Sequence, residues 1–508
     1  MGTFTFSFSG LLTGFAQVAD PKTLILMLVG TAVGIVFGAI PGISCNMAVV
    51  LFLPMTFGMD PYLAVALLIA VYIGGMSGGL ISAVLLNIPG TPASIATAFD
   101  GHPMAMKGQS GRALGIGILT SFVGGLISIV FLMWLSPVLA NYALKFGPFE
   151  YFSIGVFSLV LIGTVSGKSK VKGLISALFG LCLSCVGLGQ MTKAPRMTWG
   201  NHVLDTGIGV IPLLVGIFAI PELIRFFVKG ADEEYETYPY KKVKGFGIRF
   251  LEYIQHWKNI IVSALIGVGI GILPGIGGNV SNLLAYIAAK NTSKDPDKFG
   301  TGCDDGIIAS ETANNACIGG AFVTMLALGI PGSTTTAILM SALTLHGFAP
   351  GPTLFINYPA LIYTIFAALL IGNVMMIIIE RGGLNVFTRL LQIPRYILMP
   401  LVVLMCIVGA YVSNKSVFDV GCMVVFGVVA YFLTEAGFPM TPLIIAFIIG
   451  PIVEINLQRA LMSYQMSMVP YFTRPISCFF FLATVLSVVV MVFNAIKDAR
   501  AKKKKDTK

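Results

Sequence analysis

Apolar runs of about 20 residues follow one another along the chain, separated by short polar or glycine- and proline-rich connections. A helix of that length crosses a hydrocarbon core about 30 Å thick, so each run predicts a membrane-spanning helix. Less regular apolar stretches cover 43–90 and 277–345, giving an expected total of about ten to fourteen segments. The predicted fold class is therefore an all-α, polytopic integral membrane protein. The regular predicted helices are 22–38, 112–140, 149–165, 170–188, 207–228, 257–273, 357–379, 396–413, 416–433, 440–456 and 475–496.

Proline-glycine pairs interrupt this pattern, and the same interruptions occur in both halves of the chain. The sequence GAIPG at 38–42 has a counterpart in GILPG at 271–275. Further along, LNIPG at 86–90 has a counterpart in LGIPG at 328–332. Interrupted hydrophobic segments at matching positions of two halves are the sequence signature of a transporter binding site. The pairs therefore predict broken or re-entrant helices around such a site.

The duplication predicts the organisation of the chain. Transmembrane repeats are expected at 20–228 and 257–470, joined by a cytoplasmic linker at 229–256. An extra transmembrane helix at 475–496 and a basic cytoplasmic tail at 497–508 follow. Linker and tail are both rich in lysine and arginine, which favours the cytoplasmic side. One extra helix then requires an odd number of crossings in the second repeat, so the repeats are predicted to be inverted.

Composition narrows the possibilities further. The chain has 508 residues, of which 56% are hydrophobic and 11% charged, whereas a soluble domain carries about 25% charged residues. The net charge of +10 suits anionic membrane lipid rather than nucleic acid. Cys182 and Cys185 form a CxxC pair inside an apolar run without a second pair, so neither metal nor redox chemistry is expected. No cofactor is expected beyond a coupling ion.

The candidate chemistry lies at the breaks. A helix that begins inside the membrane offers free N–H groups and a partial positive charge to an anion. Exposed carbonyl ends suit a cation such as Na⁺. Hydroxyl and amide side chains beside the breaks can hydrogen-bond carboxylate oxygens. The candidate substrate-binding residues are Ser44, Asn46, Asn87, Gly90, Thr91, Ser94, Asn279, Asn315, Gly332, Ser333, Thr334 and Thr335.

Glu311 lies between the breaks of the second half. A carboxylate within a transmembrane region is costly and predicts a functional role, such as binding a coupling cation or carrying a proton. The alternative is that Glu311 lies at the membrane interface near Asp304 and Asp305 and is solvated. The candidate residues for the coupling ion, Na⁺ or H⁺, are Glu311, Asn314, Pro41, Gly42, Pro274 and Gly275.

Other interpretations stay open at this point. Prolines can simply kink helices whose freed backbone groups are repaired by polar side chains. A passive anion channel is also compatible with paired breaks. The sequence GMSG at 75–78 resembles the serine motif of intramembrane proteases, but that chemistry needs a base within reach of Ser77. A purely structural assembly subunit is a further possibility, and an enzyme is not expected.

Several motifs carry a resemblance to a known family. LNIPGTPAS at 86–94, DGHPM at 100–104, ETANN at 311–315, LGIPGS at 328–333 and HGFAPGP at 346–352 resemble the large membrane subunit of tripartite tricarboxylate transporters, the TctA type. The likeness spans most of the chain. It implies a bacterial inner-membrane secondary transporter that imports organic carboxylates, often di- or tricarboxylates such as citrate, with Na⁺ or H⁺. The implied partners are a small membrane subunit (TctB type) and a periplasmic solute-binding protein (TctC type).

Overall fold

The protein is almost entirely helical, as the pattern of apolar runs predicts. The computed structural model describes residues 4–165, 169–229, 247–390 and 395–505. Within them the only sheet is a small antiparallel hairpin, β1 (Gly187–Leu188) and β2 (Pro195–Arg196). The predicted class of all-α polytopic membrane protein is confirmed. Residues 230–246 of the predicted linker and 506–508 of the predicted tail lie outside the described residues.

Twenty-one helices make up the described structure. Those of the first half are α1 (Phe8–Val18), α2 (Pro21–Ala39), α3 (Cys45–Phe52), α4 (Pro61–Leu86), α5 (Ile95–Met106), α6 (Ser110–Ala143), α7 (Pro148–Val165), α8 (Lys170–Ser184) and α9 (Val210–Lys229). The remainder are α10 (Phe250–Gln255), α11 (Trp257–Ile272), α12 (Gly278–Thr292), α13 (Asp304–Leu328), α14 (Thr334–Leu345), α15 (Thr353–Asn357), α16 (Pro359–Leu390), α17 (Arg395–Asn414), α18 (Val417–Glu435), α19 (Met440–Ser463), α20 (Val469–Thr473) and α21 (Pro475–Lys505).

Nine of the described helices are long and apolar enough to cross a membrane, namely α2, α4, α6, α9, α16, α17, α18, α19 and α21. Helix α13 has 25 residues, also enough to cross, but its acid and amide side chains make it less apolar. Four predicted helices have the wrong end, and two of these, 440–456 and 475–496, continue to Ser463 and Lys505. The run 170–188 stops at Ser184, and the chain continues into the β-hairpin. The run 357–379 continues to Leu390, because the acid that seemed to end it is buried inside the protein.

The helices of the two halves correspond one to one. Helices α2–α9 match α11–α14 and α16–α19 in order, and their packing is exchanged between the halves. Helix α6 packs on α13 as α16 packs on α4, and α9 packs on α18 as α19 packs on α8. The halves are therefore intertwined, since the main partners of several helices belong to the other half.

The central pair, α4 and α13, shows the relative direction of the halves. Tyr72 of α4 stacks on Phe322 of α13, with ring centroids 6.3 Å apart. One turn later on α4, the carbonyl of Met76 accepts a hydrogen bond from Asn314 Nδ2 at 3.5 Å. Later residues of α4 thus meet earlier residues of α13, so these equivalent helices run antiparallel. The repeats have opposite directions, as inverted topology requires.

Each half begins with a re-entrant hairpin. Helices α2 and α4 run parallel, because Gly30 packs against Leu67 and Gly38 packs against Gly75. Helix α3 must therefore return toward the start of α4, which makes α2–α3 a hairpin with its tip at 40–44, halfway along α4. In the second half Gly271 of α11 packs against Cys317, halfway along α13. We name α2–α3 hairpin 1 and α11–α12, with its tip at 273–277, hairpin 2.

The contacts between helices divide them into two groups. We define the inner bundle as α1–α6 with α11–α16, and the outer bundle as α7–α9 with α17–α21. The apolar window of α4 is 100% buried, whereas those of α17, α18 and α21 are 28%, 22% and 6% buried. Apolar surface left on a long helix faces lipid, so the outer bundle forms much of the membrane-facing surface. All four helix breaks belong to the inner bundle.

Candidate functional site

Glycine holds the second break of each half against its hairpin. A Cβ atom on Gly90 would lie 2.0 Å from the carbonyl oxygen of Gly38. A Cβ on Gly332 would lie 2.2 Å from the carbonyl oxygen of Gly271. No side chain fits at such distances. The candidate site residues Gly90 and Gly332 therefore serve close backbone packing, which brings both breaks of each half to the same depth.

Polar contacts then join the breaks of different halves. Thr335 Oγ1 donates to Asn46 Oδ1 at 2.6 Å, which ties α14 to hairpin 1. The equivalent contact with the halves exchanged is made by Asn282 Nδ2 of hairpin 2, which donates to the carbonyl of Ala93, just before α5. The four breaks therefore converge. We call this region the central crossing and define it as the two hairpin tips with the second breaks at 87–94 and 329–333.

Two of the four helices that start here have their first N–H groups capped by their own serine. Ser44 Oγ accepts from the N–H of Met47 at 3.2 Å at the start of α3. Ser333 Oγ accepts from the N–H of Thr336 at 3.2 Å, and Thr336 Oγ1 accepts from the N–H of Ser333 at 2.9 Å. Capping satisfies donors that would otherwise face a ligand. The candidate residues Ser44 and Ser333 are thus occupied as caps.

Helices α5 and α12 start without a side-chain cap. Ser94, which precedes α5, shares a hydrogen bond of 3.2 Å with Thr91 Oγ1. Gly277 precedes α12 and has no side chain to offer, while Asn279 in the first turn of α12 is exposed. The positive ends of α5 and α12 are therefore the ones available to an anion. Of the candidates, Thr91, Ser94 and Asn279 lie beside them.

Glu311 of α13 is fully buried in the inner bundle, with 0% of its surface exposed. It accepts from Thr97 Oγ1 at 2.5 Å and from Ser121 Oγ at 3.0 Å. Asn315 Nδ2 completes the set at 3.4 Å. The alternative of a solvated Glu311 is wrong, since it lies about 10 Å along the helix from Asp304. The acid connects α5 and α6 of the first half to α13 of the second.

Three buried oxygen atoms near these residues have no hydrogen-bond partner within the described parts of the chain. They are Thr312 Oγ1, Asn314 Oδ1 and Asn282 Oδ1. A Cβ on Gly278 of hairpin 2 would lie only 2.7 Å from Asn314 Oδ1, so this oxygen faces the hairpin. An amide oxygen can only accept, and a buried one is normally satisfied. A cation would satisfy it.

The remaining candidates lie elsewhere or have another role. Asn87 is exposed and ends α4 in the left-handed conformation, with φ 54°. Thr334 Oγ1 donates to Thr441 of the outer bundle at 3.2 Å. Gly42 and Gly275 turn the two hairpin tips with φ values of 84° and 72°, which only glycine adopts readily. Pro41 and Pro274 precede them, so these four residues shape the tips.

A second buried acid, which the sequence analysis missed, lies on α16. Glu380 is 0% exposed and accepts from Ser77 Oγ at 2.9 Å through Oε2. The predicted helix ended at 379, so Glu380 and Arg381 looked like a polar flank. A serine protease needs a base beside its serine, and no histidine bonds to Ser77. The histidines bond instead in the pairs His102–Val84, His202–Asp205, His256–Asp305 and His346–Thr56.

Asp100 of α5 is also buried and was not among the candidates. Its Oδ1 accepts from the backbone N–H groups of Gly300, Gly302 and Cys303 at 2.8, 2.9 and 2.8 Å. Its Oδ2 accepts from the hydroxyl of Tyr286 at 2.8 Å. The side chain therefore binds the loop before α13 to the first half. This contact fixes the height of α13, and with it Glu311, relative to α5.

Comparison with known proteins identifies the family of the chain. The model of the tripartite tricarboxylate transporter TctA family matches residues 24–445. An uncharacterized 52.8 kDa protein in the TAR-I ttuC' 3' region of Agrobacterium vitis is 32% identical over 494 residues, covering 97% of this chain and 98% of that protein. A second A. vitis protein, in the TAR-II ttuC' 3' region, is 32% identical over 231 residues, covering 46% of this chain and 96% of its own length. No solved structure matches. The chain belongs to the tripartite tricarboxylate transporter TctA family and is a multi-pass membrane protein.

Proposed function

We propose that this chain is the large permease subunit of a binding-protein-dependent secondary transporter. It imports organic carboxylate anions, di- or tricarboxylates such as citrate, by symport with Na⁺ or H⁺. The observation that carries the proposal is the central crossing, where four helix breaks from two inverted halves meet beside buried, incompletely satisfied polar groups. Irregular backbone at that depth survives where it is buried in protein or lines a cavity.

The anion would bind at the uncapped starts of α5 and α12. Their free N–H groups and partial positive charge attract carboxylate oxygens. Thr91, Ser94 and Asn279 stand beside these ends and add neutral donors. Neutral donors hold a carboxylate without the desolvation cost of a second full charge. Hydrogen-bonding partners of this kind recognise carboxylates as a class rather than one particular acid.

The coupling ion would bind close to the anion. Glu311 supplies a carboxylate, and Asn314 Oδ1 and Asn282 Oδ1 supply acceptors without partners among the described residues. Carboxylate and amide oxygens are the ligands that a hard cation prefers. Co-binding a cation near the anion also lowers the cost of burying the anion's charge. Bound together, the two would carry less net charge than the anion alone.

Family membership supports the proposed partners. A small membrane subunit of the TctB type and a periplasmic binding protein of the TctC type would complete the system in a bacterial inner membrane. The binding protein would select the carboxylate and deliver it to the periplasmic face. The basic linker and the basic tail at 497–508 would face the cytoplasm, following the positive-inside rule.

The proposal is tested by uptake into vesicles that contain this chain and its small subunit. A panel of labelled carboxylates, citrate included, is offered with and without the binding protein, under an imposed Na⁺ or proton gradient. We expect uptake that requires the binding protein and follows one gradient. Uptake of no carboxylate under any condition would contradict the proposal.

Two further measurements distinguish a carrier from a channel and test the assigned anion site. A passive channel is distinguished by counterflow, because only a carrier shows saturable exchange of labelled for unlabelled substrate. The variant Asn279→Ala removes a donor at the start of α12 and is expected to lower uptake at least tenfold. Asn201→Ala is the matched control, since Asn201 is exposed in the connection before α9. Equal uptake by both variants would contradict the assigned anion site.

A further inference from the structure

Glu380 is the acid that the proposed transport site does not use, and its surroundings are unusual. The side chain is 0% exposed. One carboxyl oxygen, Oε2, accepts from Ser77 Oγ at 2.9 Å, while Oε1 is buried without a hydrogen-bond partner among the described residues. An ionised carboxylate with a single neutral donor is strongly unfavourable in such a place. The group is therefore neutral in this conformation.

Within the described part of the chain, no basic side chain forms an ion pair with the Glu380 carboxyl group. The helices that pack against α16 are α1, α2, α4, α6 and α15. Tyr62 and Tyr72 are the ionisable residues of α4, and α6 has Arg112 and Tyr142 near its ends, whereas α1 and α15 have none and α2 has Lys22 at its start. On α16 itself Tyr363, Arg381 and Arg389 are ionisable, and Arg381 is exposed.

Glu311 on α13 approaches this region from outside these helices. Ser77, which donates to Glu380, follows Met76, whose carbonyl accepts from Asn314, three residues from Glu311. Two carboxyl groups close together resist being ionised at the same time. The Glu311 carboxyl group accepts from three side-chain donors, whereas that of Glu380 accepts from one. The pair therefore favours a negative charge on Glu311 and a proton on Glu380.

The coordination at Glu380 favours a proton over a metal cation. A hard cation such as Na⁺ needs several oxygen ligands around it. Within the described structure, Ser77 Oγ is the one group that hydrogen-bonds to the Glu380 carboxyl group. The same residues contain no group of three acids, cysteines or histidines that could hold a metal ion. A proton needs a single oxygen atom, and Oε1 is the one left without a partner.

We propose that Glu380 is a proton-carrying residue of this transporter, loaded at Oε1 and discharged to water once in each transport cycle. The inference rests on the proposed transport function and adds one coupled proton to it. On discharge the O–H bond at Oε1 breaks, the electron pair stays on the carboxylate, and the proton passes to water on one side of the membrane. Loading reverses the step on the other side.

Its position lets the charge of Glu380 act on the arrangement of the two halves. The hydrogen bond from Ser77 joins α4 of the first half to α16 of the second. A bond to an ionised acceptor is stronger than one to a neutral acceptor. Water must also reach the ionised group. Loss of the proton therefore favours a conformation in which water reaches Oε1 while Ser77 still donates to Oε2.

The test uses proteoliposomes that contain the chain with its small subunit, supplied with binding protein and a transported carboxylate. Substrate uptake is followed together with internal pH, reported by a trapped dye. We expect the wild-type chain to move protons with substrate. Glu380→Gln mimics the protonated acid permanently, so proton movement per substrate falls at least tenfold while counterflow exchange persists. The matched control is Glu435→Gln, because the Glu435 side chain is 54% exposed at the end of α18.

A second variant protects the test against misfolding of the first. Ser77→Ala removes the donor that stabilises the ionised form, so the pH of half-maximal uptake shifts upward. If Glu380→Gln does not fold, the pH shift in Ser77→Ala tests the inference instead, and an unchanged pH of half-maximal uptake contradicts it. The inference is overturned if Glu380→Gln transports like the wild-type chain and moves as many protons per substrate. It is also overturned if wild-type transport is coupled to Na⁺ alone. Failure of the wild-type chain to transport any carboxylate overturns the proposed function instead.

Discussion

At the scale of the residue, substitutions of Asn87 distinguish a role in backbone geometry from a role in substrate binding. It ends α4 with φ 54° and ψ 21°, and its counterpart Gly329 ends α13 with φ 70° and ψ 26°. Asparagine and glycine are the residues that adopt this conformation most easily. We expect Asn87→Gly to keep full transport and stability, and Asn87→Ala to cost about 1 kcal/mol of stability. Uptake and thermal unfolding of both variants check this. Loss of transport in the glycine variant would return Asn87 to the binding site.

His256 makes the stability of the protein depend on pH. It lies just before α11, and its Nδ1–H donates to the carboxylate of Asp305 at 2.8 Å. This hydrogen bond raises the pKa of His256 above its ordinary value of 6.5. A raised pKa means that the stabilisation is complete below 6.5 and is lost as pH rises through the folded-state value.

We therefore expect the Tm of the wild-type protein to fall as pH increases from about 6 through the raised pKa of His256. In His256→Gln that component of the pH dependence is absent, because glutamine does not titrate. Thermal unfolding in detergent, measured across the range for both proteins, checks the prediction. Parallel curves for the two would show that the bond to Asp305 contributes nothing.

At the scale of the element, close packing of α11 on α13 depends on one glycine face. A Cβ on Gly271 would lie 2.4 Å from the carbonyl of Cys317, whereas a Cβ on Gly269 would meet nothing within 4 Å. Gly271→Ala should therefore separate the helices and cost about 1–3 kcal/mol. Gly269→Ala is the matched control on the same helix and should be neutral or slightly stabilising. Thermal unfolding of both variants decides, and equal stability would contradict the packing.

The sequence predicted these elements well because its strongest signals are local. The Pro-Gly pairs at 41–42 and 274–275 mark the hairpin tips. What it could not show depends on neighbours distant in sequence. The caps made by Ser44 and Ser333 are by contrast local, since each serine accepts from a backbone N–H three residues further on. Glu380 looked like a helix end until its partner Ser77, 303 positions away, was in view.

At the scale of the whole molecule, the separation into inner and outer bundles indicates what moves. The breaks, the buried acids Asp100, Glu311 and Glu380, and the candidate anion site all belong to the inner bundle. Alternating access requires one rigid block to move against another around the bound substrate. We expect the inner bundle to move against the outer bundle. The contact between Pro54, after α3, and Gly409 of α17 crosses that boundary.

A disulfide across this boundary should stop transport. The Cβ positions of Pro54 and Gly409 are 3.3 Å apart, close to the 3.5–4.5 Å of natural disulfides. We expect oxidised Pro54→Cys/Gly409→Cys to lose uptake and to recover it with a reductant. Gly155→Cys/Val453→Cys, with Cβ positions 3.7 Å apart inside the outer bundle, is the matched control and should keep uptake. Oxidation of the unmodified chain controls for its eight native cysteines. Full transport through a completely cross-linked Pro54–Gly409 pair would show that the bundles do not move past each other at this contact, because a bond about 2 Å long tolerates no sliding.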